Sequence, residues 1–217
     1  MRISDLSKDS GVPVPTIKFY LRERLLPPGT PTARNQATYG DDHLERLRLI
    51  RILIDVGGAN LSSVHTVLDA IDDATLPLHD LCRVVHRALY THQPVIADKD
   101  DVREARESVD EYVDCLGWRV DADAPGRDAL ATVMASLRRF GWKCDVNIFE
   151  PYVEAADLLA ARELDFVSPD AKRSDAAATV VIGTVLFESA FVAMRRLAQE
   201  HHSALRFDSA MAKGGPS

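Results

Sequence analysis

The segment GVPVPTIKFYLRERLLPPGT, residues 11–30, limits what this chain can become more than any other stretch. A proline fixes its own φ and gives up its N–H. Pro13 and Pro15 therefore suit a turn or the first turn of a helix, and Pro27-Pro28 ends one. Between them Val14 to Leu25 reads as a helix of about twelve residues, about 18 Å long at 1.5 Å per residue. At 100° per residue Val14, Ile17, Leu21 and Leu25 fall on one stripe, while Thr16, Phe19, Tyr20, Arg22 and Glu23 face away. A short helix is thus expected to carry aromatic and cationic side chains on its free face.

The flanking segments give that helix a context. In SDLSKDSG a first short helix has Ser4 as its expected N-cap and closes at Gly11 in the left-handed region. PPGTPTARNQATYG is rich in Pro, Gly, Thr and Asn and predicts a small β-hairpin whose tip, near Ala33 to Gln36, carries Arg34. DDHLERLRLIRILIDVGG then resumes helical spacing at Leu44, Leu47, Ile50 and Ile54. Asp41 and Asp42 stand at its positive start and Gly57-Gly58 at its end. LSSVHTVLDAIDD adds a helix with Leu61, Val64, Leu68 and Ile71 on one side.

Helix, turn, basic aromatic helix and Arg-tipped hairpin together describe a winged helix-turn-helix. Its second helix is long enough to cross a DNA major groove about 12 Å wide. Lys18, Arg22 and Arg24 can neutralise phosphates, and Tyr20 can donate its hydroxyl to one. Thr16 and Phe19 can meet base edges or thymine methyls, and Arg34 the flanking backbone or minor groove. The overall charge of −7 hides this. Residues 1–40 hold six Lys and Arg against three Asp and Glu, a net of +3, so the rest carries −10. A basic head precedes an acidic body.

These residues, ISDLSKDSGVPVPTIKFYLRERLLPPG followed by ARNQATYGDDHLERLRLIRIL, resemble the DNA-binding domain of MerR-family transcriptional regulators over about residues 2–72. The resemblance places Thr16, Lys18, Phe19 and Tyr20 in the recognition helix, where the family usually reads Thr-Ile-Arg-Tyr-Tyr. It places Arg34, Asn35 and Tyr39 in the wing and its junction with the next helix. Thr38 departs from the pattern, since an arginine often stands near there. The resemblance implies a homodimer on double-stranded DNA at a near-palindromic operator, with RNA polymerase at the promoter. In many members the promoter is activated by bending and untwisting, so that DNA deformation carries the signal.

The body reads as helices alone, near 76–90, 102–116, 126–140, 148–166 and 174–202, which makes the fold class mainly α. Its expected division is a head at 1–74, connecting and dimerisation helices at 75–116, an effector-binding and dimerisation domain at 117–207 and a frayed tail at 208–217. Pro94 interrupts the long helix through which MerR-family subunits usually pair, and the all-α body is similar in architecture to the effector domain of TetR-type regulators. Under that reading Trp118, Phe140, Trp142, Phe149, Tyr152 and Phe187 line a cavity for a small hydrophobic or cationic ligand. Glu188, or a buried histidine, is its polar anchor. These aromatics also read as ordinary core. AAATVVIGTVLFESAFVAM, apolar on nearly every side, predicts a helix buried in a core or shared between subunits, where Glu188 needs a partner.

Other classes have less support. His79, Cys82 and His86 share a helix face that Cys115 could join across a dimer, which makes a metal-responsive regulator an alternative. A ligand-binding or scaffold protein without specific DNA binding is another. His201-His202 read as cations near a negative helix end. Three cysteines without CxxC spacing point to reduced thiols. No GxSxG, P-loop, HExxH or dinucleotide fingerprint appears, so neither an enzyme nor a cofactor is expected. With no uncharged run of 18 residues and a start that turns polar at once, neither a membrane span nor a signal peptide is expected, and the location is cytoplasmic, on the nucleoid.

Overall fold

The computed structural model describes residues 1–33, 36–90, 97–168 and 170–211. The expected roles of Arg34 and Asn35, and the break at Pro94, lie outside the described residues. Among the described residues the fold is helical apart from one antiparallel pair of strands, as the mainly α reading required. The order is α1 (Ile3–Ser10), α2 (Val14–Arg22), β1 (Thr30–Ala33), β2 (Gln36–Thr38), α3 (Asp41–Arg51), α4 (Leu61–Asp72), α5 (Leu78–Leu89), α6 (Lys99–Cys115), α7 (Pro125–Arg139), α8 (Glu150–Leu164) and α9 (Arg173–Met211). A π-helical turn, Ile52–Val56, follows α3, and a 3-10 turn, Val146–Phe149, precedes α8. Two compact units result: Met1–Gly57 with Ala178–Ser217, and Gly58–Ala177.

In the first unit α1 begins at Ile3, so Ser4 lies inside the first turn rather than capping it. The Asp5 carboxylate accepts the Arg2 N–H at 2.8 Å instead. At the far end Gly11 takes φ 68° as expected. Ser10 Oγ donates to the Leu6 carbonyl at 2.6 Å and accepts the Val12 N–H at 3.2 Å. Ser7 Oγ donates to the Val12 carbonyl at 2.6 Å. Two serines therefore satisfy the backbone of a tight turn that buries Leu6, Val12 and Ile17.

α2 stops at Arg22, three residues short of the expected Leu25. Arg24 adopts the left-handed conformation, φ 60°. The Leu25 N–H reaches back to the Tyr20 carbonyl at 2.9 Å, and the Arg24 N–H to that of Leu21 at 3.3 Å. This Schellman closure turns the chain inward, so Leu25 and Leu26 are buried beneath the helix end rather than along its stripe.

The β1–β2 hairpin pairs Thr30 with Thr38 and Pro31 with Ala37. Its base is tied to the first residue: the Met1 ammonium donates to the Tyr39 carbonyl at 2.8 Å, and the Tyr39 N–H to that of Met1 at 2.9 Å. After α3 the π turn shifts the helical register by one residue. Leu47, Ile50 and Leu53 are buried, and Ile54, expected on that stripe, is half-buried. Val180, Val181 and Val185 of α9 are buried, and a Cβ on Gly57 would come within 3.3 Å of Val185 Cγ2.

In the second unit α4 packs on α5, burying Val64, Val67 and Leu68 with Leu81 and Val85. Leu61 points outward and Ile71 is half-buried, so both leave the stripe expected of them. α6 and α7 pack most closely, because the contact is made of small side chains at helical spacing. Ala105, Val109 and Val113 meet Ala131, Met134 and Ala135, with Phe149 closing one end. The α8 helix buries no residue.

From its middle onward α9 leaves apolar side chains uncovered between charged ones, with Phe191 40%, Met194 64%, Leu197 60% and Leu205 58% exposed. By length and hydropathy alone an 18-residue stretch within Arg173–Phe207 would suit a membrane span, with a mean hydropathy of 1.9 despite the charge at Glu188. Glu188 is exposed and so needs none of the partners a buried carboxylate would. His201 and His202 stand in the interior of α9 rather than at its end, with ring centroids 5.2 Å apart.

The hairpin base leaves no room beside Gly29, where a Cβ would lie 2.7 Å from the Thr38 carbonyl oxygen and 2.8 Å from the Tyr39 ring. Gly29→Ala is expected to lower stability by about 1–3 kcal/mol, read as a lower thermal midpoint with unchanged far-ultraviolet circular dichroism.

Candidate functional site

The outward face of α2 is defined by what holds its inner face down. Ile17 is fully buried and Tyr20 is 8% exposed, which leaves Lys18 and Arg22 in solvent and Thr16 and Phe19 half-buried beside them. Phe19 and Arg22 lie one turn apart, with the guanidinium 5.2 Å from the ring centroid. Arg22 also pairs with Glu23 at 3.2 Å, but its side chain is 71% exposed. Such a pair is weak and can yield to a phosphate. Arg24, at the left-handed turn, is also in solvent. Nine residues give α2 a length of about 13 Å, still enough to cross a major groove.

One expected orientation is corrected. Tyr20 does not face outward with Phe19: three residues after Ile17, it shares the buried side of α2 and is in the core, as are Leu25 and Leu26. Burial pushes its phenol above the usual value of 10.0, nearby Asp55 adds to the rise, and Arg51 draws it back. Tyr39 is likewise 8% exposed and meets His43 edge to face, 5.2 Å between centroids at 88°. Both side chains act here as anchors.

Two arginines absent from the sequence reading join the helix-turn-helix to the next helix. Arg51 Nη1 donates to the Ser10 carbonyl at 3.2 Å, at the negative end of α1, while its Nε pairs with Asp55 at 3.1 Å. Arg46 Nε donates to the Leu25 carbonyl at 2.6 Å, just past the end of α2. Neither has a signal in the pattern, since both occur on a helix face that reads as solvated charge.

A cavity of about 700 Å³ opens within the second unit, lined among others by Trp118, Val120, Leu130, Val133, Leu137 and Phe140. Of the aromatics expected around an effector, Trp118 and Phe140 are at this cavity. Phe149 is core of the α6–α7 pair, and Trp142 and Tyr152 are exposed away from its lining. Phe187 and Glu188 belong to the other compact unit. The side chain of Arg127 in this lining is only 4% exposed, held by Asp110 at 3.1 Å and Asp114 at 2.7 Å. Burial raises the Asp110 carboxyl, but hydrogen bonds from Arg106 and Arg127 outweigh it and hold the group below its ordinary range.

His79, Cys82 and His86 share α5 as expected, yet His79, His86 and Cys115 are exposed and Cys82 is half-buried. Among the described residues no three His, Cys, Asp or Glu side chains come together in a metal-holding group. Burial also pushes the Cys82 thiol up, which disfavours the thiolate a metal would require.

A short helix anchored by its inner face and basic on its outer face, followed by a two-stranded wing, defines a winged helix-turn-helix DNA-binding protein with a helical body. Residues 1–71 match the model for the MerR HTH family regulatory protein. The crystal structure of SCO5550 from Streptomyces coelicolor A3(2), assigned as a transcriptional regulator, is similar along its length: 37% identity over 95% of this chain and 98% of that one, with a TM-score of 0.72. The HTH-type transcriptional regulator ZntR homolog of Haemophilus influenzae is 25% identical over 118 residues, 46% of this chain and 87% of the relative. The HTH-type transcriptional regulator HmrR of Sinorhizobium medicae is 40% identical over 57 residues, 26% of this chain and 39% of the relative. The chain belongs to the MerR family of transcriptional regulators.

The anchoring role of Tyr20 has a pH signature. Its phenol ionises at higher pH folded than unfolded, so its contribution to stability is whole below about pH 10 and is lost as pH rises through the folded value. In Tyr20→Phe the thermal midpoint is expected to fall less between pH 9 and 11 than in the wild type.

Proposed function

We propose that this MerR-family regulator binds a near-palindromic operator as a homodimer, inserting α2 into the major groove, and answers to a small organic effector held in the second unit. The observation that carries the reading is the two-sided character of α2, with Ile17 and Tyr20 inside and Lys18, Phe19 and Arg22 outside. Lys18, Arg22 and Arg24 meet phosphates, Thr16 and Phe19 meet base edges, and Arg34 and Asn35 extend the contact from the wing. Tyr20 and Tyr39 position these groups from beneath. The protein acts in the cytoplasm on nucleoid DNA, where it presents the promoter to RNA polymerase.

Three features support the finer parts. The uncovered apolar stripe of α9, Phe191, Met194, Leu197 and Leu205, is of the kind that a second copy covers in an obligate dimer. The cavity at Trp118 and Phe140 has a volume within the range of small-molecule sites, about 300–1,000 Å³. A DNA-binding helix in one compact unit, Met1–Gly57 with Ala178–Ser217, and a cavity in the other, Gly58–Ala177, put signal and response on separate parts of one chain.

Selection from a random duplex pool at low salt tests the reading. Enrichment of a two-fold symmetric site is expected, and no enrichment of any sequence would exclude the regulator. On the selected site Lys18→Ala and Arg22→Ala should each weaken binding across all sequences. Each should also reduce the slope of log affinity against log salt by about one unit. An unchanged slope would take that residue off the phosphate backbone.

A further inference from the structure

The loop between α6 and α7 does two things at once. Trp118, Val120 and Ala124 form part of the cavity wall. Between them, on the same stretch, Asp121 and Asp123 hold two arginines of α5. Arg83 reaches both Asp80, at 2.9 Å, and Asp121. Arg87 Nη2 lies 3.1 Å from Asp121 and 2.6 Å from Asp123, and its Nη1 also donates to the Asp123 carboxylate at 3.0 Å. From α6, Arg106 donates to the Ala122 carbonyl, and from α7, Arg127 to that of Val120 at 3.4 Å. The loop has no regular secondary structure and starts at Gly117, φ 72°, a conformation open to glycine. It is therefore held by side chains from three helices rather than by a backbone ladder.

The charged groups of the cavity wall point to its occupant. Arg127 is committed to Asp110 and Asp114, and Asp128 to Arg106. The remaining lining is dominated by apolar side chains, with Trp118 and Phe140 at solvent-exposed positions. A charged ligand would have to surrender its hydration without gaining a free counter-ion, whereas an uncharged aromatic body loses only its contact with water.

Resting on the reading of this cavity as the effector site, we propose that it takes an uncharged, largely aromatic molecule. The loop Gly117–Ala124 then carries its occupancy to α5 through the clasp of Arg83 and Arg87 on Asp121 and Asp123. A ligand that presses on Trp118 and Val120 displaces the carboxylates beside them, and α5 follows its two arginines. α5 packs on α4, and α4 follows the helices that carry α2 in the chain through Gly57-Gly58, so the displaced helix lies on the chain's own route to the DNA-binding segment. Partly exposed ion pairs are individually weak. They suit a coupling element for that reason, because typical allosteric coupling changes affinity only about 5- to 150-fold.

The experiment uses the full chain and two probes that share one aromatic body: N-phenyl-1-naphthylamine, uncharged, and 8-anilino-1-naphthalenesulfonate, anionic. Expected results are tighter binding of the uncharged probe by about tenfold or more, its loss in Trp118→Ala, and altered hydrogen exchange of the α5 amides, Leu78–Leu89, on binding. In Asp121→Asn/Asp123→Asn, and independently in Arg83→Gln/Arg87→Gln, the probe should bind within about twofold of wild type while the α5 response disappears. The paired variants reach the clasp from opposite sides, so misfolding of one leaves the other to decide. Tighter binding of the sulfonate would overturn the ligand class. Probe binding with an unchanged α5, or an α5 response that survives both paired variants, would overturn the coupling and leave the effector site standing. No binding of either probe would remove the effector site and the proposal with it.

Discussion

A helix of nine residues cannot persist on its own hydrogen bonds, because nucleation costs more than so few turns return. Everything the head presents to DNA therefore depends on how α2 is held from below. Ile17 and Tyr20 are buried one turn apart, Leu25 and Leu26 fold under the helix end, and Arg46 and Arg51 of α3 donate to the backbone at the ends of α2 and α1. The backbone that carries the exposed cations is placed by the buried apolar side chains opposite them. Recognition and packing are thus two faces of one short element.

The second unit solves a different problem by different means. Its α6–α7 contact is built largely from alanine and valine, so the helices approach closely but bury little area per residue. A group of arginines supplements it. Arg127, almost wholly buried, is compensated by two aspartates, and removing both would strand its charge in a nonpolar setting. Arg83, Arg87 and Arg106 instead gather an irregular loop that no backbone pairing would keep in place. Arg106 and Arg127 hold the loop backbone beside the cavity, while Arg83 and Arg87 tie the loop to α5.

Much of the architecture was legible in the residues. Prolines bracketing residues 14–25, Gly11 in the turn and the Thr- and Asn-rich hairpin segment each have a local conformational cause, and local causes are visible in sequence. The failures have other causes. Arg24 is not a residue that announces a left-handed turn, so the early end of α2 was hidden. Ile54 lost its place because one π turn shifts a register that periodicity assumes constant. Trp118 and Phe140 were found as aromatics and not as a pair, and the loop carboxylates that adjoin them looked like solvated charge. A cavity is defined by which elements converge, and spacing along the chain carries little of that.

The left-handed Arg24 bears on how this head would respond to stabilisation. A side chain other than glycine in that region costs about 1 kcal/mol in backbone strain, and a redesign guided by stability alone would replace it first. It would gain a more robust fold and discard a cation beside the recognition helix, at the point where chain direction and surface charge are set together. Under the proposed phosphate contact of Arg24, thermal robustness and affinity for DNA are in opposition at this position, and a hardened version of the protein is the wrong reagent for finding its operator.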